Sequence, residues 1–392
     1  MDYSIYVHIP FCEHRCHYCD FITTTGKSYL MDAYVDALIN EFRVVNKTHT
    51  KIPTHSIYFG GGTPSLLPIS SYEKIITTLY DCFLVRNNCE ISIEANPGTL
   101  TFDYLKGLKS LGINRLSLGA QSFNSFDLTR LDRIHSPEDI LSSYSDARRA
   151  GFDNINLDMI FALPWQTLES WENSLKQAIN LSPDHFSIYS LILEPGTVLY
   201  EWSQKGRVAL VDQDLEAEMF ELAMETLAAS NYEHYEISNW AQFSKNADNR
   251  CRHNLQYWLN QPYFGFGLGA HGYVEGFRTE NTAELEDYLQ RLKTNRISGE
   301  FPASPAAIDL TKVNLTTQMK DFMMLGLRLT QQGVEKRRFF DRYQRSFDSV
   351  FKKEIDELLN LKLVKWIGKD KTALQLTKRG VMVANQVFMY FI

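Results

Sequence analysis

The chain has 392 residues, of which 44% are hydrophobic and 22% charged, and its formal net charge is −7 at pH 7. This length suffices for one large domain and a smaller one, and the composition is that of an ordinary globular protein. It contains no run of about 18 apolar residues, which excludes a membrane-spanning helix. The first residues also lack the basic and apolar regions of a secretory signal, so we expect a cytoplasmic protein.

Patterns typical of β-strands and α-helices alternate along the first half of the chain. The predicted strands are residues 3–9, 56–60, 90–95, 114–120, 154–160 and 186–191. The helices predicted between them include residues 29–43, with an apolar stripe of Tyr34, Leu38 and Phe42, and residues 101–112 and 137–151, which close on Gly112 and Gly151. Six such alternations predict a parallel sheet with helical crossovers, either open or curled into a partial barrel. Functional residues are then expected in the loops that follow the strands.

The last part of the chain predicts a separate, smaller domain. Residues 301–310 are rich in Pro and Ala and suggest a linker, and three helices, a strand pair and a last helix follow in a winged-helix-like order. We expect a core domain at residues 1–230, an extension at 231–305 and a C-terminal domain at 306–392. The C-terminal domain is basic and the remainder acidic. We favour docking of the two parts over a nucleic-acid-binding module, because no arginine-rich run or pattern of stacking aromatics supports the latter.

Three of the six cysteines lie close together, directly after the first predicted strand. Cys12, Cys16 and Cys19 have the spacing C-x-x-x-C-x-x-C, which indicates metal binding in a reducing compartment rather than a disulfide framework. An iron–sulfur cluster held by three thiolates keeps one iron open to another ligand. A zinc site would need a fourth ligand from elsewhere, for which Cys251 or a histidine is a candidate.

The cysteine spacing, with the aromatic Tyr18 before the third cysteine, resembles the signature of the radical S-adenosylmethionine (SAM) superfamily. The resemblance implies a [4Fe–4S] cluster on the three thiolates, with SAM bound to the open iron. It also implies a partial (β/α)6 barrel of the TIM type. The stretches similar to the coproporphyrinogen-dehydrogenase branch of this superfamily are YVHIPFCEHRCHYCDF, YFGGGTPSLL, IEANPGT, RLSLGAQSF, LDRIHS and NLDMIFALPWQT, which span residues 6–167.

The resemblance also assigns residues to SAM. These are Tyr6, Tyr18, Gly62, Thr63, Glu94, Gln121, Arg133 and Asp158. The glycines at 60–62 would let the backbone approach a ligand closely. A carboxylate at Glu94, which ends an apolar strand, could accept hydrogen bonds from a ribose or an ammonium group.

Two features depart from the enzymes of that branch. Those enzymes have a fourth cysteine in C-x-x-x-C-x-x-C-x-C, where this chain has Phe21. They also have an N-terminal extension that helps to build the substrate site, and we expect none here because the sequence begins two residues before its first predicted strand. Both departures argue against decarboxylation of coproporphyrinogen. An oxygen-independent coproporphyrinogen III dehydrogenase, acting through a 5′-deoxyadenosyl radical, remains the alternative function.

The stretch RHNLQYW at residues 252–258 contains H-N-x-x-Y-W and resembles the HemW-type haem chaperones of the same branch. A histidine is a good axial ligand for haem iron, so the resemblance makes His253 a haem ligand, on a loop, with Tyr257 and Trp258 against the porphyrin. Cys251 is a weaker second ligand. We also expect the glycine-rich residues 265–273 to form a tight loop near the site. The leading hypothesis is a haem chaperone that passes haem to an unknown acceptor protein, for which membrane-bound respiratory proteins are candidates.

Overall fold

A computed structural model describes residues 2–46, 51–244, 247–293 and 300–392. The strands are β1 Tyr3–Ile9, β2 Phe11–Cys12, β3 Thr24–Thr25, β4 Pro53–Gly61, β5 Leu84–Ala95, β6 Arg115–Gln121, β7 Ile155–Phe161, β8 His185–Ser190, β9 Tyr232–Glu236, β10 Asn239–Gln242, β11 Tyr263–Phe266, β12 His271–Val274, β13 Phe277–Asn281, β14 Ala307–Lys312, β15 Val334–Glu335, β16 Val364–Ile367 and β17 Ala373–Leu376. The helices are α1 Met31–Val45, α2 Ile69–Cys82, α3 Phe102–Ser110, α4 Ser125–Arg130, α5 Pro137–Arg149, α6 Leu168–Asn180, α7 Val198–Gln204, α8 Gln213–Ala229, α9 Arg252–Trp258, α10 Leu285–Lys293, α11 Leu315–Gly326, α12 Lys336–Tyr343, α13 Phe347–Val350, α14 Lys352–Asn360, α15 Lys378–Met382 and α16 Ala384–Phe388.

Twelve strands form one large sheet in the order β14-β13-β12-β11-β1-β4-β5-β6-β7-β8-β10-β9. The six strands predicted from the sequence, β1 and β4 to β8, all form and pair in parallel. The strand β11 adds a seventh parallel strand beside β1, and the outer strands pair antiparallel. The strand order has two ends, at β14 and β9, so the sheet of the described residues is open, as expected of a partial barrel.

The predicted helices lie where the sequence patterns placed them, because their apolar stripes are buried against the sheet. Tyr34, Leu38 and Phe42 of α1 are fully buried, and the Phe42 ring packs edge-on against Phe266 of β11. The helix α5 begins at a capping box formed by Ser136 and Asp139, with a proline in its first turn. This local signal explains why the start of α5 could be predicted from the sequence.

The helix α9 and the cysteines lie at opposite ends of the parallel strands. The cysteines follow the carboxyl end of β1. The side chains of α9 instead contact the amino ends of β1 and β4, because Gln256 Nε2 donates to the Asp2 carbonyl at 3.2 Å and His253 Nδ1 lies 3.1 Å from Ser56 Oγ. The helix therefore covers the end of the partial barrel at which the parallel strands begin, which we call the floor.

The C-terminal part has its own apolar core, which includes Met323, Phe339 and Leu374. The three predicted helices form as α11, α12 and α14 and the predicted strand pair as β16 and β17, whereas the single last helix that was predicted is divided into α15 and α16. The strand β15 joins the pair as a third strand. The predicted linker at residues 301–310 is wrong in part, because β14 pairs with β13 and extends the large sheet to residue 312. We therefore propose that the domain boundary follows residue 312 rather than 305. Among the described residues, no helix is both long and apolar enough to cross a membrane.

Candidate functional site

A cavity of about 510 Å³ is lined by the parallel strands, the cysteine loop and α9. All twelve residues assigned to cofactors from the sequence line it: Tyr6, Cys12, Cys16, Tyr18, Cys19, Gly62, Thr63, Glu94, Gln121, Arg133, Asp158 and His253. They come from positions up to 247 residues apart in the chain. The fold therefore brings the three cysteines, the eight residues assigned to SAM and His253 to one place.

The three cysteines are free thiols, half-buried in the wall of this cavity. Thr63 Oγ1 donates a hydrogen bond to Cys12 Sγ at 3.5 Å, and Arg133 Nη1 donates to Cys16 Sγ at the same distance. Burial raises the pKa of the Cys19 thiol to about 11 and also raises that of Cys12. The thiols would thus lose protons on binding a metal, and two of the sulfurs already have donors that favour negative charge.

The environment of Arg133 fits an anionic cluster. Its guanidinium is buried beside Cys16, and within the described ranges it forms no ion pair with a carboxylate, while its Nε has no hydrogen-bond partner. A buried cation of this kind is costly unless a negative group compensates it. The donor set therefore fits a cluster with thiolate ligands.

The zinc alternative receives no support from the geometry. The Cys251 thiol donates to Glu90 Oε1 at 3.7 Å, and the backbone N–H of Cys251 donates to the Tyr235 hydroxyl at 3.3 Å. Throughout the part of the chain that the structure describes, no three His, Cys, Asp or Glu side chains are placed to hold a single metal ion. A four-iron cluster places its thiolates on separate irons, which allows the sulfurs to lie farther apart.

Two half-buried carboxyl groups face the cavity, and neither forms an ion pair within the described residues. Glu94 accepts hydrogen bonds from the Tyr58 hydroxyl at 2.9 Å and from the Gly61 backbone N–H at 3.1 Å. Burial, and after it the charge of Asp158, raises the pKa of Glu94 to about 7. Burial also raises the pKa of Asp158, which accepts from Ser117 Oγ at 3.0 Å. This part of the cavity fits a ligand with positive charge, such as the ammonium and sulfonium groups of SAM.

Tyr6 and Gly62 link the strands to the cysteine loop. The Tyr6 hydroxyl donates to His8 Nδ1 at 3.0 Å, and His8 Nε2 donates to the Ile22 carbonyl at 2.7 Å. A β-carbon at Gly62 would lie only 2.7 Å from the carbonyl oxygens of Pro10 and Phe11. A side chain at position 62 would therefore clash with the backbone that leads into the cysteine loop, which explains the glycine there.

Tyr18 and Gln121 line the same cavity. Tyr18 packs on a small apolar cluster that includes Leu131, Ile160 and Leu191. Gln121 ends β6 with a φ of +65°, which turns the chain out of the sheet. Tyr18 therefore offers an aromatic face beside apolar side chains, as an adenine ring requires.

His253 lies on the helix α9, so the predicted loop is wrong. Its ring is 1% exposed, packs beside Tyr58 at 5.2 Å between ring centroids, and has both nitrogens engaged. Ser56 Oγ lies 3.1 Å from Nδ1 and the Tyr257 hydroxyl lies 2.8 Å from Nε2. Burial lowers the pKa of His253 to about 3, so the ring is neutral at physiological pH.

The other aromatic of the motif faces away. Trp258 does not line the cavity. It lies under the guanidinium of Arg328 from the C-terminal part, 4.1 Å from ring centroid to Cζ. The prediction that Trp258 lies against a porphyrin is therefore wrong in this arrangement. The glycine-rich residues 265–273 also lie outside the cavity wall, and Gly267 packs against the backbone of His8.

Sequence reasoning missed Asn96, which joins several of these residues. Its Nδ2 donates to Thr63 Oγ1 at 3.1 Å, and its Oδ1 accepts from Arg133 Nη2 at 2.7 Å. The signal was its position after β5, in the turn Asn96-Pro97-Gly98, where strand-end loops are expected to carry function. An Asn before Pro-Gly is more often only a turn residue.

Comparisons with known proteins agree with this description. The profile of the radical SAM superfamily matches residues 6–178, and that of the HemN C-terminal domain matches residues 313–383. The solved structure of coproporphyrinogen III oxidase (HemN) from Escherichia coli superposes with a TM-score of 0.82, covering 100% of this chain and 90% of that one. At 23% identity this likeness shows a shared fold.

The fold and the three-cysteine loop define a protein of the radical SAM superfamily. Among curated relatives, the heme chaperone HemW of Bacillus subtilis is 40% identical over 99% of both chains, and that of Escherichia coli is 32% identical over 99% of this chain and 98% of its own. The chain belongs to the HemW heme chaperone family.

Proposed function

We propose that this protein binds haem and delivers it to an acceptor protein, while carrying a [4Fe–4S] cluster with exchangeable SAM. The observation that carries the proposal is the shared cavity, which has the cysteine loop at one end and His253 of the H-N-x-x-Y-W motif at the other. The names of the full-length relatives support the same function. Membrane-bound respiratory proteins are our candidates for the acceptor.

Cys12, Cys16 and Cys19 would hold the cluster, and Glu94 and Asp158 would accept the cationic groups of SAM. When bound, the cluster supplies an exchangeable electron and an open iron site. Thr63 and Arg133 donate to the sulfurs and hold two of the thiolates in place. Tyr6, Gly62 and Gln121 would complete the SAM site, with Tyr18 against the adenine.

The hydrogen bonds of His253 are compatible with a histidine that binds haem iron through Nε2 once its present partner has left. If Nδ1–H donates to Ser56 Oγ, then Nε2 carries the lone pair and accepts from the Tyr257 hydroxyl. A metal-bound histidine typically keeps such a donor bond from its other nitrogen. For iron to bind at Nε2, the Tyr257 hydroxyl would have to leave that nitrogen. The low pKa of His253 leaves this lone pair unprotonated.

The first test is anaerobic reconstitution of the cluster. The wild-type protein should bind about four irons per chain, and SAM should perturb the electron paramagnetic resonance spectrum of the reduced cluster. The Cys16→Ala variant should lose the cluster, whereas Cys251→Ala, which alters a thiol of the same cavity, should keep it. The proposal fails if SAM leaves the spectrum unchanged, or if the two variants behave alike.

The same preparation separates the chaperone from the alternative enzyme. Phe21, where the related enzymes have a cysteine, is 63% exposed in the cavity wall and supplies no thiol. Supplied with coproporphyrinogen III, SAM and a reductant, the protein should form no protoporphyrinogen. Measurable conversion would favour the dehydrogenase instead.

A further inference from the structure

Asn96 makes two hydrogen bonds that lead to two different cluster cysteines. On one side its amide nitrogen donates to Thr63 Oγ1 at 3.1 Å, and the Thr63 hydroxyl contacts Cys12 Sγ at 3.5 Å. On the other side its amide oxygen accepts from Arg133 Nη2 at 2.7 Å, and Nη1 of the same guanidinium contacts Cys16 Sγ at 3.5 Å. The Asn96 amide group is thus hydrogen-bonded to both Thr63 and Arg133, the two side chains that donate to cysteine sulfurs.

The direction of these bonds follows from the available hydrogens. A threonine hydroxyl has one hydrogen and can accept two bonds. Because the Asn96 amide donates to Thr63 Oγ1, the hydroxyl hydrogen remains for Cys12 Sγ. The Arg133 guanidinium is a fixed planar group, and its anchor on the amide oxygen directs the neighbouring N–H to Cys16 Sγ. The two hydrogens of Nη2 are then both used, one by Asn96 Oδ1 and one by the Gly119 carbonyl at 3.0 Å, which leaves Nη1 for Cys16 Sγ.

We propose that Asn96 is a positioning residue that holds a hydrogen bond on two of the three cluster sulfurs and thereby raises the cluster's reduction potential. Hydrogen bonds to cluster sulfurs are among the factors that set this potential, because they stabilise the more negative, reduced state. The inference rests on the proposed function, since it requires the cluster to bind at Cys12, Cys16 and Cys19.

The test is a redox titration of the reconstituted protein without SAM, followed by the electron paramagnetic resonance signal of the reduced cluster. Asn96→Leu removes both bonds of the amide, and its midpoint potential should shift to a more negative value than that of the wild type. Asn96→Asp should also shift it negatively, because a carboxylate accepts the Thr63 hydrogen and withdraws it from Cys12. Full iron content in each variant is the condition for the comparison.

The Thr63 variants give matched controls. Thr63→Val removes the hydroxyl at nearly constant shape and should shift the potential negatively, whereas Thr63→Ser keeps the hydroxyl and should stay near the wild-type value. Since Asn96 acts partly through Thr63, the shift of the Thr63→Val/Asn96→Leu double variant should be smaller than the sum of the single shifts.

An unchanged potential in Asn96→Leu with full iron content, or fully additive shifts, would overturn the inference. If Asn96→Leu does not retain the cluster, Asn96→Asp provides the test. An unchanged or more positive potential in Asn96→Asp would then overturn the inference. Failure of the proposed function is distinguishable, because the wild-type protein would then bind no cluster or show no response to SAM.

Discussion

At the scale of single side chains, Glu94 is a residue of the cavity whose charge changes near neutral pH. Its pKa is raised to about 7, first by burial and then by Asp158. The unliganded protein therefore holds this carboxyl partly protonated under physiological conditions. A cationic or hydrogen-bond-donating ligand favours the charged form, so ligand binding and proton release are linked.

The affinity for SAM should consequently depend on pH. Below pH 7 the ligand must displace a proton from Glu94, so the affinity should rise as the pH increases from 6 to 8. Glu94→Gln should weaken binding and remove this dependence. Glu194→Gln, at the wall of the same cavity, should leave the dependence intact. Calorimetric titration at several pH values measures both, and a flat wild-type profile would contradict the assignment of Glu94.

At the scale of elements, the helix α9 explains why its two aromatic residues have different surroundings. Successive residues of an α-helix lie about 100° apart around the axis, and residues four apart share a face. Tyr257 therefore lies beside His253 and faces the barrel, whereas Trp258 turns toward Arg328. The motif H-N-x-x-Y-W thus contributes His253 and Tyr257 to the cavity floor and Trp258 to the contact with the C-terminal part.

Trp258 should accordingly matter for stability rather than for haem. Trp258→Ala removes its contact with Arg328 and should lower the free energy of unfolding by about 3 kcal/mol, within the range for loss of a large aromatic. Trp258→Phe, which keeps an aromatic face, should lose less. Urea unfolding measures the stability, and the haem-bound absorption spectrum of Trp258→Phe should equal that of the wild type. A changed spectrum at unchanged stability would instead support a contact between Trp258 and the porphyrin.

The sequence predicted elements whose signals are local. The six parallel strands are buried apolar runs that end in turns, and α5 carries its own capping box, so their ends agree with the prediction within three residues, except that β5 begins six residues earlier. The strand β14 was missed because residues 307–312 are mostly exposed or half-buried and acquire their strand form only by pairing with β13. Whether such a segment at the sheet edge forms a strand depends on its tertiary contacts.

The site was predicted as a set of residues but not as a geometry. Motif spacing brought the cysteines and Glu94 into one hypothesis, and the structure places them in one cavity. Spacing could not reveal that Asn96 bridges Thr63 and Arg133, because that contact joins residues 33 and 37 positions apart across three loops. Nor could it reveal that Tyr257 occupies Nε2 of His253.

At the scale of the whole molecule, the cavity spans the length of the parallel strands. From Ser56, beside His253, to Gly62, beside the cysteine loop, β4 and its end cover six residue steps, or about 20 Å at 3.3 Å per residue. Tyr6, which we propose contacts SAM, has its ring centroid 6.4 Å from that of His253, so a ligand at the SAM site and a haem on His253 would be close neighbours.

Titration of haem into the reconstituted protein tests the haem-chaperone account most directly. Wild-type protein should bind haem with a Soret band typical of histidine ligation, and His253→Ala should bind it more weakly or with a shifted band, while iron content and melting temperature stay normal. His271→Ala, at an exposed histidine of β12, should match the wild type. Wild-type affinity and an unchanged Soret band in a normally folded His253→Ala protein would contradict the account.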